Sequence, residues 1–237
     1  MNKIVDKTNY DKIASTYIKH VEDKFSWNNL HERPCMISIF DDFTNKKILD
    51  AGCGTGFYSK YAIDKNANVI AVDASEKMLD HVSKTINSPK LETHKADLAD
   101  GLSFIESASL DYIICSLALH YIENWDTTIA EFYRVLNNGG KLYISTHHPF
   151  WDYLILKKKS YFDKLLVEDE WGSGKNSFKV FFYTRSLSDV LRPITKSPFK
   201  ILSIDEPLPT SECKRSAPEV FEKLSNEPSF LFLVLQK

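Results

Sequence analysis

The residues with the clearest chemical potential lie in the stretch Lys47-Ile-Leu-Asp-Ala-Gly-Cys-Gly-Thr-Gly56. Glycines at alternate positions let the backbone take positive φ and approach a ligand with no Cβ in the way. Where such a loop follows a strand and opens a helix, its free N–H groups can meet polar ligand atoms. Asp50 stands just ahead of the glycines, and an acid there suits a cationic amine better than a pyrophosphate. Asp73 ends the next apolar run, Val69-Ile-Ala-Val-Asp73, where a carboxylate can accept both hydroxyls of a ribose. Further along come His120, in Leu119-His-Tyr-Ile122, and the pair His147-His148 ahead of Pro149. Imidazole titrates near neutrality and can take a proton from a hydroxyl or an amine. His120 and His148 are the candidate bases, and His147 is expected to be structural.

These groups need strands to end where they stand. Apolar runs at Lys47–Asp50, Asn68–Asp73, Leu91–Lys95, Leu110–Leu117 and Lys141–Ser145 alternate with helical patterns, clearest at Ser75–Ile86 and Asn124–Leu136. In the second helix Trp125, Ile129, Phe132 and Leu136 recur at helical spacing before Asn137-Asn-Gly-Gly140 stops it. Such alternation predicts an α/β fold with a doubly wound, mostly parallel sheet, binding its ligand at the carboxyl ends of the strands. Residues 1–43 read as helical and aromatic, a cap before a core at 44–149. Residues 150–177, rich in Trp, Tyr and Lys with a Gly172-Ser-Gly174 break, read as an insertion or lid. Within 178–237, strands are expected at Phe178–Arg185, Lys200–Asp205 and Ser229–Leu235, with helices at Leu187–Ile194 and Pro218–Asn226.

The ordered motifs resemble those of the class I S-adenosylmethionine-dependent methyltransferases of small-molecule type. Ile48-Leu-Asp-Ala-Gly-Cys-Gly-Thr-Gly56 is similar to the first motif of that family and Val69-Ile-Ala-Val-Asp73-Ala-Ser to the second. Ala96-Asp97-Leu resembles the third, Asp111-Tyr-Ile-Ile-Cys-Ser-Leu the fourth, and Phe132–Leu142 the helix and turn before the fifth strand. The resemblance implies a seven-stranded, Rossmann-like single domain. It implies S-adenosyl-L-methionine as cofactor and transfer of its methyl group to a small molecule by in-line displacement. It also implies that Asp50, Gly52 and Gly54 face the methionine portion and that Asp73 holds the ribose. Ala74 and Met78 would lie near the adenine, Asp97 and Leu98 at the adenine edge, and the Ser116 carbonyl at the cofactor amine. Tyr10 and Tyr17 match aromatic positions of a helix that closes over the cofactor.

Composition narrows the partners. The 237 residues carry a formal net charge of −2, so nothing draws the chain broadly to nucleic acid or anionic lipid. The fourth motif, with Cys115-Ser-Leu-Ala118, also lacks the Asp/Asn-Pro-Pro-aromatic run of amino-directed DNA methyltransferases. No window holds the roughly 18 apolar residues of a membrane span, and Met1-Asn-Lys-Ile-Val-Asp-Lys7 lacks a secretory apolar region, which predicts a cytoplasmic protein. Cys35, Cys53, Cys115 and Cys213 are too scattered for a disulfide framework or a metal site. Two rival readings share the glycine loop. One is a non-catalytic module that binds the cofactor. The other is a nicotinamide-dependent oxidoreductase, for which Tyr153 and Lys157 form a Y-x-x-x-K pair, although G-x-G-x-G after an Asp departs from the dehydrogenase spacing.

Overall fold

Neighbouring residues of a strand point to opposite faces, so a strand that is apolar throughout needs cover on both sides. The computed structural model, which describes residues 10–172, 174 and 177–237, meets this demand with helices on both faces. Strands β1 (Lys47–Ala51), β2 (Asn68–Asp73), β3 (Leu91–Lys95), β4 (Leu110–Ser116) and β5 (Leu136–His147) run parallel. Near the C-terminus, β8 (Lys200–Asp205) and β9 (Phe230–Gln236) complete a seven-stranded sheet of order β3-β2-β1-β4-β5-β9-β8, with β9 antiparallel to both neighbours.

On one face Leu49, Ile113 and Leu142 pack with Ile129 and Phe132 of α5 (Asp126–Val135) and Ile194 of α7 (Leu187–Thr195). On the other, Ile48, Ile114 and Tyr143 meet Met36 of α2 (Arg33–Ser38) and Ala62 of α3 (Phe57–Asp64). The helix α4 (Glu76–Thr85) adds Leu79 and Val82 over Ala71. Ser75 caps it, accepting from Met78 N, as its position ahead of the apolar pattern predicts. No helix among the described residues is long and apolar enough to cross a membrane.

Three segments depart from the sequence-based expectation. Asn137–Gly140 does stop the helix, but the chain is already extended at Leu136, which pairs with Leu110 before the register shifts to Tyr112 and Lys141. Gly139 takes φ +81° there. The segment expected as a strand at Phe178–Arg185 does not join the main sheet. As β7 (Phe178–Thr184) it forms a separate antiparallel pair with β6 (Leu165–Trp171), so the unit that begins with α6 (Pro149–Ile155) extends past residue 177. The inner face of this hairpin, Phe178, Val180 and Phe182, packs against Ile13, Tyr17 and Tyr121. The expected helical cap is confined among described residues to α1 (Tyr10–Glu22), the π-helical turn Asn28–Glu32 and α2; residues 1–9 of that cap, and Ser173 and residues 175–176 of the insertion, lie outside them.

Helix α1 is fastened at its N-terminal end. The Asp11 carboxylate accepts from Ser75 Oγ at 2.6 Å and from Lys77 N at 3.1 Å, reaching across to the start of α4. The Tyr10 and Tyr121 hydroxyls hydrogen-bond to each other. Loss of a carboxylate bonded at a helix N-terminus costs about 1 kcal/mol. Asp11→Ala should therefore speed amide exchange in α1 well beyond that in β1 and β4; equal rates in all three would show that Asp11 does not hold the cap.

Candidate active site

Strand β1 delivers Asp50 to the carboxyl edge of the sheet, and the loop after it turns sharply back. Gly52, Gly54 and Gly56 have φ of +75°, +51° and +80°. The N–H groups of Gly52 and Cys53 both donate to Val72 O, at 2.8 and 2.9 Å, and Gly54 N donates to Asp73 Oδ2 at 2.9 Å. A Cβ at Gly52 would sit 2.5 Å from the Ala118 Cβ, so only glycine allows the turn after β4 to close on this loop. At Gly54 a Cβ would meet nothing within 4 Å, which leaves open space beside its backbone. Asp50 turns inward, accepts from Ser59 Oγ at 2.6 Å and from Ser59 N, and so caps the first turn of α3, whose N-cap Gly56 has no side chain.

Over this edge lies a cavity of about 700 Å³. All eleven residues expected at a cofactor line it: Asp50, Gly52 and Gly54 at its middle; Asp73, Ala74, Met78, Asp97 and Leu98 at one end; Ser116 at the other; Tyr10 and Tyr17 from the cap. Asp97 also accepts from Ala99 N as the cap of the short turn Leu98–Asp100. Asp73 accepts from Gly54 N and Ser75 N, which binds the glycine loop to the start of α4.

The electrostatics are lopsided. Burial pushes the Asp50 carboxyl up to about 6, against the lowering bonds from Ser59, with the Asp73 and Glu32 charges adding to the rise. Burial raises Asp73 as well, opposed by the N–H groups of Ser75, Gly54 and Ala74. Glu32, at the end of the π-turn, is fully buried on the same wall and also raised by burial. Arg33 follows it, its guanidinium 4.1 Å from the centre of the Phe57 ring. Lys95, at the far end, is paired with Glu76 at 2.9 Å.

Glu32, Arg33, Tyr58 and Tyr121 line the cavity but were not legible as site residues. The only signal for the first two is an acid-base pair set inside an apolar stretch, Leu30-His-Glu-Arg-Pro34. The five-residue spacing of the π-turn, Arg33 N to Asn28 O, makes Leu30, His31 and Glu32 all face inward.

The structure brings neither His120 nor His148 to the cavity wall. His148 N-caps α6, its Nδ1 accepting from Phe150 N at 3.2 Å, while Nε2 meets Glu206 at 2.8 Å. His120 lies behind Tyr121, 2% exposed, its ring stacked on His147 with centroids 4.1 Å apart. Neither of its ring nitrogens has a hydrogen-bond partner, and burial, with His147 and Arg185 nearby, holds its pKa well below the ordinary value. His147 Nδ1 lies 3.4 Å from Asp152. Tyr153 and Lys157, the dehydrogenase-like pair, are absent from the cavity wall.

The raised Asp50 pKa carries a sign. A carboxyl with a higher pKa when folded favours the fold in its protonated form; that contribution is complete below about pH 4 and is lost as pH rises past 6. Between pH 4 and pH 7 the stability of Asp50→Asn should gain on wild type by up to about 3 kcal/mol. Urea unfolding of both proteins at the two pH values measures this, and a pH-independent difference would contradict it.

The sequence and architecture agree with known proteins. A family model described as Methyltransferase domain matches residues 49–144. An "Uncharacterized protein" of Haemophilus influenzae is 27% identical over all of this chain and 99% of its own length. The malonyl-[acyl-carrier protein] O-methyltransferase of Hamiltonella defensa is 26% identical over 61% of this chain and 55% of its own. A Listeria monocytogenes crystal structure assigned to the S-adenosylmethionine-dependent methyltransferases superposes with a TM-score of 0.73 at 26% identity, covering 85% of this chain and 94% of that one. With the glycine loop, the acid at the end of β2 and the strand order already described, these likenesses identify residues 49–144 as a methyltransferase domain and support an S-adenosylmethionine-dependent methyltransferase of class I.

Proposed function

We propose that the protein methylates a small-molecule acceptor by in-line displacement. The observation that carries this reading is the cavity itself: about 700 Å³, acidic along the glycine loop, and roofed by aromatic side chains. S-adenosyl-L-methionine, when bound, supplies an electrophilic methyl group on a sulfonium centre. The residues present fit it: the open space beside Gly54 admits a ligand backbone-close, and the buried Asp50 suits a cation.

In this reading Asp73 takes the ribose hydroxyls, since its bonds from the Gly54, Ser75 and Ala74 N–H groups leave carboxylate lone pairs free. Ala74 and Met78 pack on the adenine, while Asp97 and Leu98 address its edge. Gly52, Gly54 and Asp50 face the methionine portion, and Ser116 offers its carbonyl at the end of β4. Tyr10, Tyr17 and Tyr121 exclude water and confine the acceptor, and that alignment supplies much of the rate. An aromatic-roofed cavity of this size suits a small acceptor better than a polymer. His120, buried behind the ring of Tyr121 and with its pKa held well below the ordinary value, is out of reach of an acceptor in the cavity, so in this reading it supports Tyr121 rather than acting as the base. His148, committed to Phe150 N and Glu206, serves α6 instead.

S-adenosylhomocysteine at about a hundred times its Kd should raise Tm by about 5–10 °C, and NAD should not. Asp73→Ala should abolish that shift. Methyl transfer to a panel of small hydroxyl and amine acceptors, with His120→Asn slowing turnover at unchanged donor affinity, tests the rest. Stabilisation by NAD alone would overturn the reading.

A further inference from the structure

Buried carboxylates are normally neutralised by a cation or a metal, because hydrogen bonds from uncharged groups orient the charge without cancelling it. Glu32 is held by hydroxyls. Oε1 accepts from Ser116 Oγ at 2.7 Å and Ser145 Oγ at 2.6 Å, and Oε2 accepts from Tyr58 OH at 2.7 Å. The guanidinium of Arg33 is near enough for its charge to act on Glu32, but it makes its hydrogen bonds elsewhere, its Nη1 donating to Val21 O and Asn29 Oδ1 and its plane set over Phe57. The side chain is fully buried yet lies on the cavity wall, at the Ser116 end. Asp50, also on that wall, is close enough to feel its charge. A carboxylate so placed has only hydroxyls as hydrogen-bond partners, and these keep lone pairs that a cationic donor can use.

We propose that Glu32 is the counter-charge for the ammonium group at the amino-acid end of the methyl donor. The proposal rests on the donor assignment above and extends it outside the methyltransferase segment, to a π-turn of the cap. The competing account makes Glu32 only a brace between that turn and the ends of β4 and β5.

Calorimetric binding to the full chain separates the two. Three ligands are compared: S-adenosylhomocysteine, its decarboxylated form, which keeps the ammonium, and 5′-methylthioadenosine, which lacks the amino-acid end. Glu32→Gln should raise Kd for the first two by about tenfold or more, as loss of a charge-assisted contact does, and leave the third unchanged. Without ligand the variant should melt no lower than wild type, because an amide of the same shape is cheaper to bury. Equal weakening of all three ligands, or no weakening of any, would overturn the proposal, as would a lowered ligand-free Tm with an unchanged ligand series. Failure of wild type to bind S-adenosylhomocysteine at all would instead overturn the donor assignment.

Discussion

The cavity depends on the carboxyl end of β2, where two residues gather the backbone donors of the glycine loop and of the approach to α4. Val72 O receives the N–H groups of Gly52 and Cys53, and the Asp73 carboxylate receives those of Gly54 and Ser75. The glycine loop is thereby lashed to its neighbour strand rather than left to wander, and α4 starts where Asp73 can reach it. Bonds to a charged acceptor of this kind contribute about 1.5–3 kcal/mol each. They form only because β1 and β2 pair in register, Asp50 opposite Ala71 and Ala51 opposite Val72. A slip of one residue would turn Asp50 and Asp73 to the other faces of their strands.

This dependence explains what the sequence could and could not convey. The core strands and the acids that line the cavity were legible because each is a local pattern: an apolar run, a turn of glycines, an acid at the strand end. The hairpin of β6 and β7 was not, since nothing local distinguishes Phe178–Thr184 pairing with Leu165–Trp171 from joining the main sheet. The histidines show the same limit. Position after β5 says which edge of the sheet a residue reaches, not where its ring turns. His147 pairs with Phe230 across the β5–β9 ladder and His148 N donates to Ser229 O, which sends the His148 ring toward Glu206. Glu32 was hidden for another reason: a π-turn breaks the periodicity by which a buried helical residue is recognised.

The cap is therefore more than cover. Tyr10 reaches the turn after β4 and Asp11 the start of α4, so α1 bridges both ends of the cavity. Tyr17 stands between them, its hydroxyl raised to about 12 by burial and by Asp73, with Arg33 opposing and Glu32 adding. The hairpin leans on the same helix through Phe178 and Tyr17, whose rings meet edge to face at 6.1 Å.

Glu32 has a consequence for the order in which the chain folds. Its three hydroxyl partners lie 26, 84 and 113 residues away along the chain. Contacts of such separation form late, because the entropy of closing large loops must be met before they contribute. Strands β1, β4 and β5 must already be aligned when the carboxylate is enclosed. On this loop-entropy argument the charged floor of the cavity closes over a sheet already committed to its topology.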